Sequence, residues 1–266
     1  MDYLEKQQKA DNLRNSGKTK EAIKLYQELF EYYDQQKLHD KAGGALQMVG
    51  VSHKIDNSTE ESLKFLNKAA DYFRLYNDMV GLGSTLRDIG ITYEYIDNLV
   101  EAEKYLDESA KILKDTDDKN GYAITLAKIG HVLTRQEKYN EAKESLENAI
   151  TILEESGHWF FLATSYGHLA NLFICQSDYE QAIKIIYKAL DIYDKEKQEK
   201  IHTRRYSQAW GLLAFCYANL GELEKAKSFL QKSLNIVLSA DFSVSATAVV
   251  LRDIRAKETL EILARQ

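Results

Sequence analysis

The chain has 266 residues, 44% of them hydrophobic and 29% charged, and this balance excludes an intrinsically disordered protein. Its 35 basic and 41 acidic residues give a net charge of −6, which argues against a general nucleic-acid surface. Such a surface needs clustered Lys and Arg that neutralise phosphates. The chain contains no proline, and long helices tolerate that absence better than a fold with many tight turns. An all-α fold is therefore expected.

The start of the chain, MDYLEKQQKADNL, lacks the basic segment and apolar run of a secretory signal. No stretch approaches the roughly 18 apolar residues of a membrane span. A cytoplasmic location without membrane insertion is the resulting prediction. The two cysteines, Cys175 and Cys216, each lie within an apolar helical run and have no CxxC spacing, so both are expected to be buried, reduced thiols.

Small residues recur along the chain with four spacings of 40 residues and one of 44, at Ala10, Gly50, Gly90, Gly130, Ala170 and Ala214. A second small residue follows 12 positions later in every copy, at Ala22, Ser62, Ala102, Ala142, Ala182 and Ala226. Apolar residues recur at helical spacing on both sides of a short polar stretch, which predicts a helix, a tight turn and a second helix. A glycine inside a helix costs about 0.8–1 kcal/mol, so its recurrence indicates a site where two helix backbones cross closely.

Six such hairpins account for most of the chain. We predict a single domain of residues 1–266 with repeats at about 3–37, 41–77, 79–116, 119–156, 158–197 and 203–239. The junction from Lys195 to Thr203 holds the four-residue excess and is either a longer helix or an exposed loop. The amphipathic segment at about 244–265 has no partner helix, and we predict that it is a C-terminal capping helix, which an open-ended stack requires.

The aligned residues resemble the tetratricopeptide repeat. Ile89-Gly90-Tyr93 matches its first helix and Ala142-Leu146-Ala149 its second, and the resemblance covers nearly the whole chain. The spacing is 40 residues instead of the usual 34, and the proline that commonly closes each repeat is missing; longer helices explain both. Lengthened repeats of this kind resemble those of bacterial peptide-pheromone receptors, cell-polarity adaptors and kinesin light chains. The resemblance implies a right-handed α-α superhelix, or solenoid, of six hairpins plus the capping helix.

The resemblance also implies a concave groove that is lined by the first helix of each hairpin. The candidate binding residues in this groove are Lys54, Arg87, Glu94, Tyr95, His131, Arg135, Asn171, Phe215 and Asn219. Three are cationic and one is anionic, so the groove is expected to be mildly basic. Arg can hold a carboxylate with two hydrogen bonds, and Asn can pair with both the N–H and the C=O of a peptide backbone. The alternative is that these charges are solvated, or pair with Glu94 and Asp88 within the stack.

Motifs for catalysis and for metal binding are weak in this sequence. Ser16-Gly17-Lys18-Thr19 ends like a phosphate-binding loop, but Asn12 stands where the earlier glycine is needed. The six histidines include no HExxH motif and no pair four residues apart on one helix. No catalytic set of residues is recognisable, so we expect no enzyme activity, no metal and no cofactor.

The function predicted from the sequence is therefore that of a non-catalytic scaffold or adaptor, which holds an extended peptide or a partner helix in its concave groove. The expected partner is a protein or peptide, with acidic groups as a candidate feature, and not nucleic acid. Two alternatives remain open at this point. One is an intracellular receptor for a short signalling peptide, and the other is a homo-oligomeric scaffold in which a terminal hairpin packs on another copy.

Overall fold

A computed structural model describes residues 3–195, 199–239 and 255–265 of the chain. Thirteen α-helices occupy nearly all of these residues, and no strand occurs among them. The helices are α1 (Tyr3–Asn15), α2 (Thr19–Gln35), α3 (His39–Ile55), α4 (Thr59–Leu75), α5 (Met79–Tyr95), α6 (Leu99–Lys114), α7 (Lys119–Arg135), α8 (Tyr139–Ser156), α9 (Trp159–Cys175), α10 (Tyr179–Lys195), α11 (Glu199–Asn219), α12 (Leu223–Ser239) and α13 (Ala256–Arg265).

The chain forms two compact units, which we call unit 1 (Met1–Gln136) and unit 2 (Glu137–Gln266). Unit 1 contains α1 to α7, and unit 2 contains α8 to α13. The single domain of residues 1–266 stays a prediction. None of the described helices combines the length and the apolar character that crossing a membrane requires. The cytoplasmic location likewise stays a prediction.

A period of 20 residues underlies the 40-residue repeat. Helices α2 to α5 each have 17 residues, and three residues separate each from the next. In these turns a residue with positive φ recurs at Lys37, Asn57 and Asn77. The amide after it bonds back to the last turn of the helix, as Ser58 N–H does to the carbonyl of His53 at 2.9 Å. This left-handed C-terminal motif reverses the chain without a proline, which explains why the repeats lack one.

Polar side chains fix where the first helices α5 and α7 begin. The Asp78 carboxylate accepts a hydrogen bond from the Gly81 amide at 2.8 Å, and Asp118 accepts one from the Gly121 amide at the same distance. Each carboxylate satisfies an amide that has no partner within its own helix. The capping residues therefore set the register of the helices that carry Arg87, Glu94, His131 and Arg135.

The small residues that recur every 40 positions are buried throughout the described chain. A Cβ atom added at Gly50 would lie 2.7 Å from Leu66 Cγ and 3.1 Å from the Leu66 backbone nitrogen. One added at Gly90 would lie 2.8 Å from Leu106 Cγ. At both positions the two helices of a hairpin cross too closely for any side chain. The close crossing predicted from the sequence is therefore present at Gly50 and Gly90.

The end of the chain packs on the last hairpin. Ala256 and Leu263 of α13 join a cluster with Ala214, Leu230 and Val237 from α11 and α12. The described part of the predicted capping helix begins at Ala256 and covers the apolar face of α11 and α12, as expected. Residues 244–254 of the predicted capping helix lie outside the described residues. Helix α11 has 21 residues, so the longer-helix alternative holds from Glu199 onward, and residues 196–198 of that junction lie outside the described residues.

The two cysteines differ in exposure, which corrects the expectation that both are buried. Cys216 is buried within α11, whereas Cys175 is exposed. Cys175 is the last residue of α9, where the chain turns. At a helix end an apolar residue need not be buried by a neighbouring helix. The apolar run around Cys175 thus predicted the helix correctly and the burial of its last residue wrongly.

The thiols are therefore expected to react at very different rates. Burial raises the pKa of the Cys216 thiol to about 12, although the nearby Arg255 acts in the opposite direction. Because the thiolate is the reactive form, a disulfide reagent at pH 8 should modify one thiol per native chain quickly, and the second only after unfolding. Cys175→Ser should abolish the fast phase. Two fast equivalents in the native wild type would contradict this assignment.

Candidate functional site

Three of the predicted site residues lie together in unit 1. Glu94 on α5 faces His131 and Arg135 on α7, with His131 Nε2 at 3.0 Å from Glu94 Oε1. Arg135 Nη1 donates to the Glu94 backbone oxygen at 3.2 Å, and its Nη2 donates to Asp97 Oδ1 at 2.5 Å. Only 15% of the Glu94 side chain is exposed, against 33% for Arg135. The Arg135 charge is therefore balanced by carboxylates of unit 1. This agrees with the alternative from the sequence that the groove charges pair with Glu94 within the stack.

The Glu94 carboxylate is held ionised by its neighbours. Burial would raise its pKa, but the hydrogen bond with His131 and the charges of His131, Lys128 and Arg135 outweigh burial and lower the pKa to about 2. A partly buried carboxylate is stable in its charged form only when opposite charges and hydrogen bonds compensate the lost hydration. Glu94 thus acts as the fixed anionic centre that orients His131 and Arg135 on the same helix face.

Arg87 lies on the same helix as Glu94 but has a different environment. Its Nη2 donates to Ser84 Oγ at 3.1 Å, and its Nη1 donates to the Gly121 carbonyl at 3.4 Å. Gln47 Nε2 on α3 donates to the same Ser84 oxygen at 3.0 Å and to Asp88 Oδ2 at 2.7 Å. Asp88 is therefore bonded to Gln47. The first helices α3, α5 and α7 are thus joined by polar side chains on one face.

Lys54 and Tyr95 lie near the ends of α3 and α5. Lys54 is half-buried and forms no ion pair with the residues that the structure describes. Tyr95 is 53% exposed, and its hydroxyl donates to Asn57 Oδ1. The unit 1 surface thus combines an exposed aromatic ring with a cation that has no carboxylate partner in the described chain.

The three remaining predicted residues belong to unit 2, where Arg255 contacts two of them. Arg255 Nη2 donates to Asn171 Oδ1 at 3.2 Å, and its guanidinium carbon lies 4.9 Å from the centre of the Phe215 ring. Asn219 is exposed, and its side-chain amide donates to the Phe215 carbonyl at 2.9 Å. Asn171 and Phe215 are therefore already engaged by a residue that directly precedes α13.

Two cationic residues of this surface were missed by the sequence analysis. The first is Arg255, and the second is Arg205 on α11, whose Nη1 donates to Thr164 Oγ1 at 2.7 Å. The guanidinium carbon of Arg205 lies 4.1 Å from the centre of the Phe160 ring. Arg255 lies beyond the last predicted hairpin, so the alignment of six repeats stopped before it. Arg205 lies inside the sixth repeat. Its separation of 41 residues from Thr164 is close to one repeat and could have predicted the contact between them.

Metal ligands do not gather in the described parts of the chain, where no three His, Cys, Asp or Glu side chains come close enough to hold an ion. The chemistry of the two surfaces is instead that of hydrogen bonding, ion pairing and aromatic contact. Both surfaces are formed chiefly by first helices of the hairpins.

Solved structures of similar fold cover most of this chain. BtubC (BKLC) from P. vanneervenii is 14% identical with a TM-score of 0.71, over 82% of this chain and 90% of that one. A putative kinesin light chain from Podosopora anserina with nearly identical TPR-like repeats is 13% identical with a TM-score of 0.55, over 73% and 96%. The APC/C hetero-tetramer Cut9-Hcn1 contains a chain that is 13% identical with a TM-score of 0.66, over 96% and 48%. No curated protein matches the chain in sequence.

Sequence profiles described as tetratricopeptide repeat match residues 121–195 and 207–236. The matched segments contain the aligned small residues at Ala142, Ala170, Ala182, Ala214 and Ala226. The structural likenesses confirm the predicted all-α superhelical repeat fold. They include a protein with kinesin-light-chain-type repeats, as the resemblance implied. These matches and the hairpin geometry of the helices identify tetratricopeptide repeats at residues 121–195 and 207–236 of the chain.

Proposed function

We propose that this chain is a non-catalytic scaffold or adaptor that binds a protein or peptide on the face formed by α3, α5 and α7 of unit 1. Members of repeat families present extended surfaces of this kind to their partners. One of the similar structures is a hetero-tetramer, so a chain of this fold can take part in an assembly of different chains. The proposal gives the chain no cofactor and places its partner contacts on side chains of the first helices.

The observation that carries this proposal is the environment of Arg87. Both of its hydrogen bonds go to neutral acceptors, the Ser84 hydroxyl and the Gly121 carbonyl, and it forms no ion pair with any described residue. A guanidinium has five N–H groups, so donors remain for a partner. Because these bonds hold the side chain in place, little rotamer entropy is lost when a carboxylate or a peptide carbonyl binds.

Neighbouring residues suit an extended peptide with acidic groups. Lys54 adds a second cation without an ion pair in the described chain, and Tyr95 adds an exposed ring for apolar contact. Arg135 contributes less net charge, because Glu94 and Asp97 already neutralise it. Arg87 and Lys54 are therefore the preferred targets for mutation, and Arg135 is not.

Affinity capture from a lysate of the source organism tests the proposal. The bait variants are Lys54→Gln/Arg87→Gln and a matched control, Lys24→Gln/Lys111→Gln, which removes the same charge from exposed positions on α2 and α6. Hydrogen bonds to charged groups contribute about 1.5–3 kcal/mol each, so the first variant should retain its partner at least about tenfold more weakly. The control should retain the partner as the wild type does.

Equal retention by all three baits would exclude the unit 1 face as the binding site. Mass spectrometry of the captured fraction separates a protein partner from a short peptide, which would favour the receptor alternative. Light scattering at several protein concentrations tests the remaining alternative. A molar mass that rises with concentration would favour the homo-oligomeric scaffold.

A further inference from the structure

The shortest described helix, α13, is held on the last hairpin by one narrow face. Ala256, Thr259 and Leu263 are spaced i, i+3 and i+7 and form this face. Ala256 and Thr259 are buried and Leu263 is half-buried, whereas Leu260, beside them, is 52% exposed. A ten-residue helix is at best marginally stable in water by itself, so α13 depends on this contact to stay helical.

The surface that α13 covers belongs to both helices of the last hairpin. Ala214 of α11 and Leu230 and Val237 of α12 form one apolar cluster with Ala256, and Leu263 packs against it. The three hairpin residues are buried with α13 in place. Release of α13 would therefore expose part of an apolar face on α11 and α12, and this face is otherwise suited to another helix with a narrow apolar stripe.

Arg255, directly before α13, anchors the start of this helix to two other helices. Its Nη2 donates to Asn171 Oδ1 on α9 at 3.2 Å, and its guanidinium carbon lies 4.9 Å from the centre of the Phe215 ring on α11. The backbone of Arg255 has a φ of 52°, in the left-handed region that arginine seldom adopts. The two side-chain contacts therefore hold a strained conformation, and their loss frees the start of α13.

The groups that hold Arg255 are suited to a cation. The Asn171 amide oxygen accepts a hydrogen bond from the guanidinium, and the face of the Phe215 ring attracts its positive charge. The carboxylate of Glu258 lies 3.9 Å from Arg255 Nε but belongs to α13 itself, so it would leave with the helix. The vacated surface would thus combine an apolar face with an arginine site at one end.

We propose that α13 is an autoinhibitory segment, which covers a docking site on α11 and α12 for an amphipathic helix of a partner protein, and that Arg255 is the latch that keeps it closed. The matching partner helix carries an arginine just before a narrow apolar stripe, as α13 does. Because α13 occupies the site within the same chain, the apparent affinity for a partner helix is reduced by the fraction of time that the site is open. The ligand is a cationic helix, and the site does not depend on the proposed face of unit 1.

Hydrogen exchange followed by mass spectrometry tests the latch on the full-length protein. Arg255→Gln should make the α13 amides exchange about tenfold faster or more, while exchange in α11 and α12 stays unchanged, because only α13 is released. Lys257→Gln is the matched control, since it removes the same charge from the same helix at a side chain that is 90% exposed. Equal exchange in the two variants, or wild-type α13 exchanging as slowly as α11 and α12, would overturn the latch.

Fluorescence anisotropy with a labelled peptide of residues 255–265, RAKETLEILAR, tests the docking site. The peptide should bind the Arg255→Gln protein with a dissociation constant below about 1 mM, and the wild type at least about tenfold more weakly, because α13 of the wild type competes for the same face. A control peptide with Leu263→Glu should bind neither protein. Equal binding of the first peptide to both proteins, or equal binding of the two peptides, would sink the assignment.

Asn171→Ala separates the latch from the docking site. This variant should release α13 as Arg255→Gln does, yet bind the peptide more weakly than Arg255→Gln, because the peptide arginine needs the same amide. Equal peptide binding by the two variants would contradict the arginine site.

Two controls separate this site from other interpretations. The Lys54→Gln/Arg87→Gln variant should match the wild type in both measurements, so failure of the unit 1 proposal leaves this result intact. Arg255→Gln should have the same molar mass as the wild type in light scattering. A doubled mass would show that the vacated face takes α13 of a second copy, and would overturn the assignment to a partner protein.

Discussion

Gly50→Leu is expected to lower the free energy of unfolding of unit 1 by about 3 kcal/mol or more. The new Cβ would lie 2.7 Å from Leu66 Cγ and 3.1 Å from the Leu66 backbone nitrogen. Leu66 is fully buried and cannot swing into solvent, and its nitrogen cannot move without displacing α4. The hairpin of α3 and α4 must therefore open, which breaks contacts along both helices.

Gly44→Leu is the matched control, because it places the same side chain on the same helix. A Cβ at Gly44 meets no atom within 4 Å, and leucine favours the helix over glycine by roughly 0.5–1 kcal/mol. Urea unfolding followed by circular dichroism should thus show a lower midpoint for Gly50→Leu and an equal or higher midpoint for Gly44→Leu. Equal shifts in the two variants would mean that glycine at position 50 is not required by helix packing.

Much of the fold was predictable from the sequence because the helix crossings repeat. The hairpin predicted at 119–156 corresponds to helices that begin at Lys119 and end at Ser156, and the one predicted at 41–77 is shifted by two residues. Small residues recur every 40 positions where backbones cross, and polar residues recur where the chain must reverse. Both constraints are local or periodic, so a single sequence expresses them directly.

Side-chain pairing across repeats was harder to predict, although part of the signal was present. Glu94 contacts His131 and Arg135, which are 37 and 41 residues further along, and Gln47 contacts Asp88, 41 residues further along. A 40-residue repeat brings such positions side by side on adjacent first helices. Which partner a charged side chain selects depends on rotamers, and that choice is not encoded in the spacing.

The contacts of Arg255 were missed because the sequence shows no seventh hairpin, although Arg255 lies 40 residues after Phe215. It follows the last hairpin, and its position depends on how α13 packs on α11 and α12. Its bond to Asn171 joins residues 84 positions apart, which is the sum of the 44-residue spacing across the Lys195–Thr203 junction and one spacing of 40 residues. A residue beyond the last recognised hairpin can therefore keep the repeat spacing and complete a surface formed by earlier repeats.

Glu94→Gln is expected to remove a pH-dependent contribution to stability of about 3 kcal/mol. The pKa of Glu94 falls from the ordinary value of 4.5 to about 2 on folding, because the hydrogen bond with His131 and the surrounding positive charges outweigh burial. A depressed pKa stabilises the folded state above the unfolded value of 4.5. That contribution is lost as the pH falls through about 2.

The stability difference between wild type and Glu94→Gln should therefore shrink by about 3 kcal/mol as the pH falls from about 5 to 2 and below. Urea unfolding at a series of pH values, followed by circular dichroism, measures this difference directly. Arg135→Gln removes one positive charge beside Glu94 and should reduce the size of the change while keeping its direction. A difference that stays constant from pH 7 to pH 2 would show that the carboxylate gains nothing from its neighbours. His131 and Arg135 would then be oriented by helix packing instead of by Glu94.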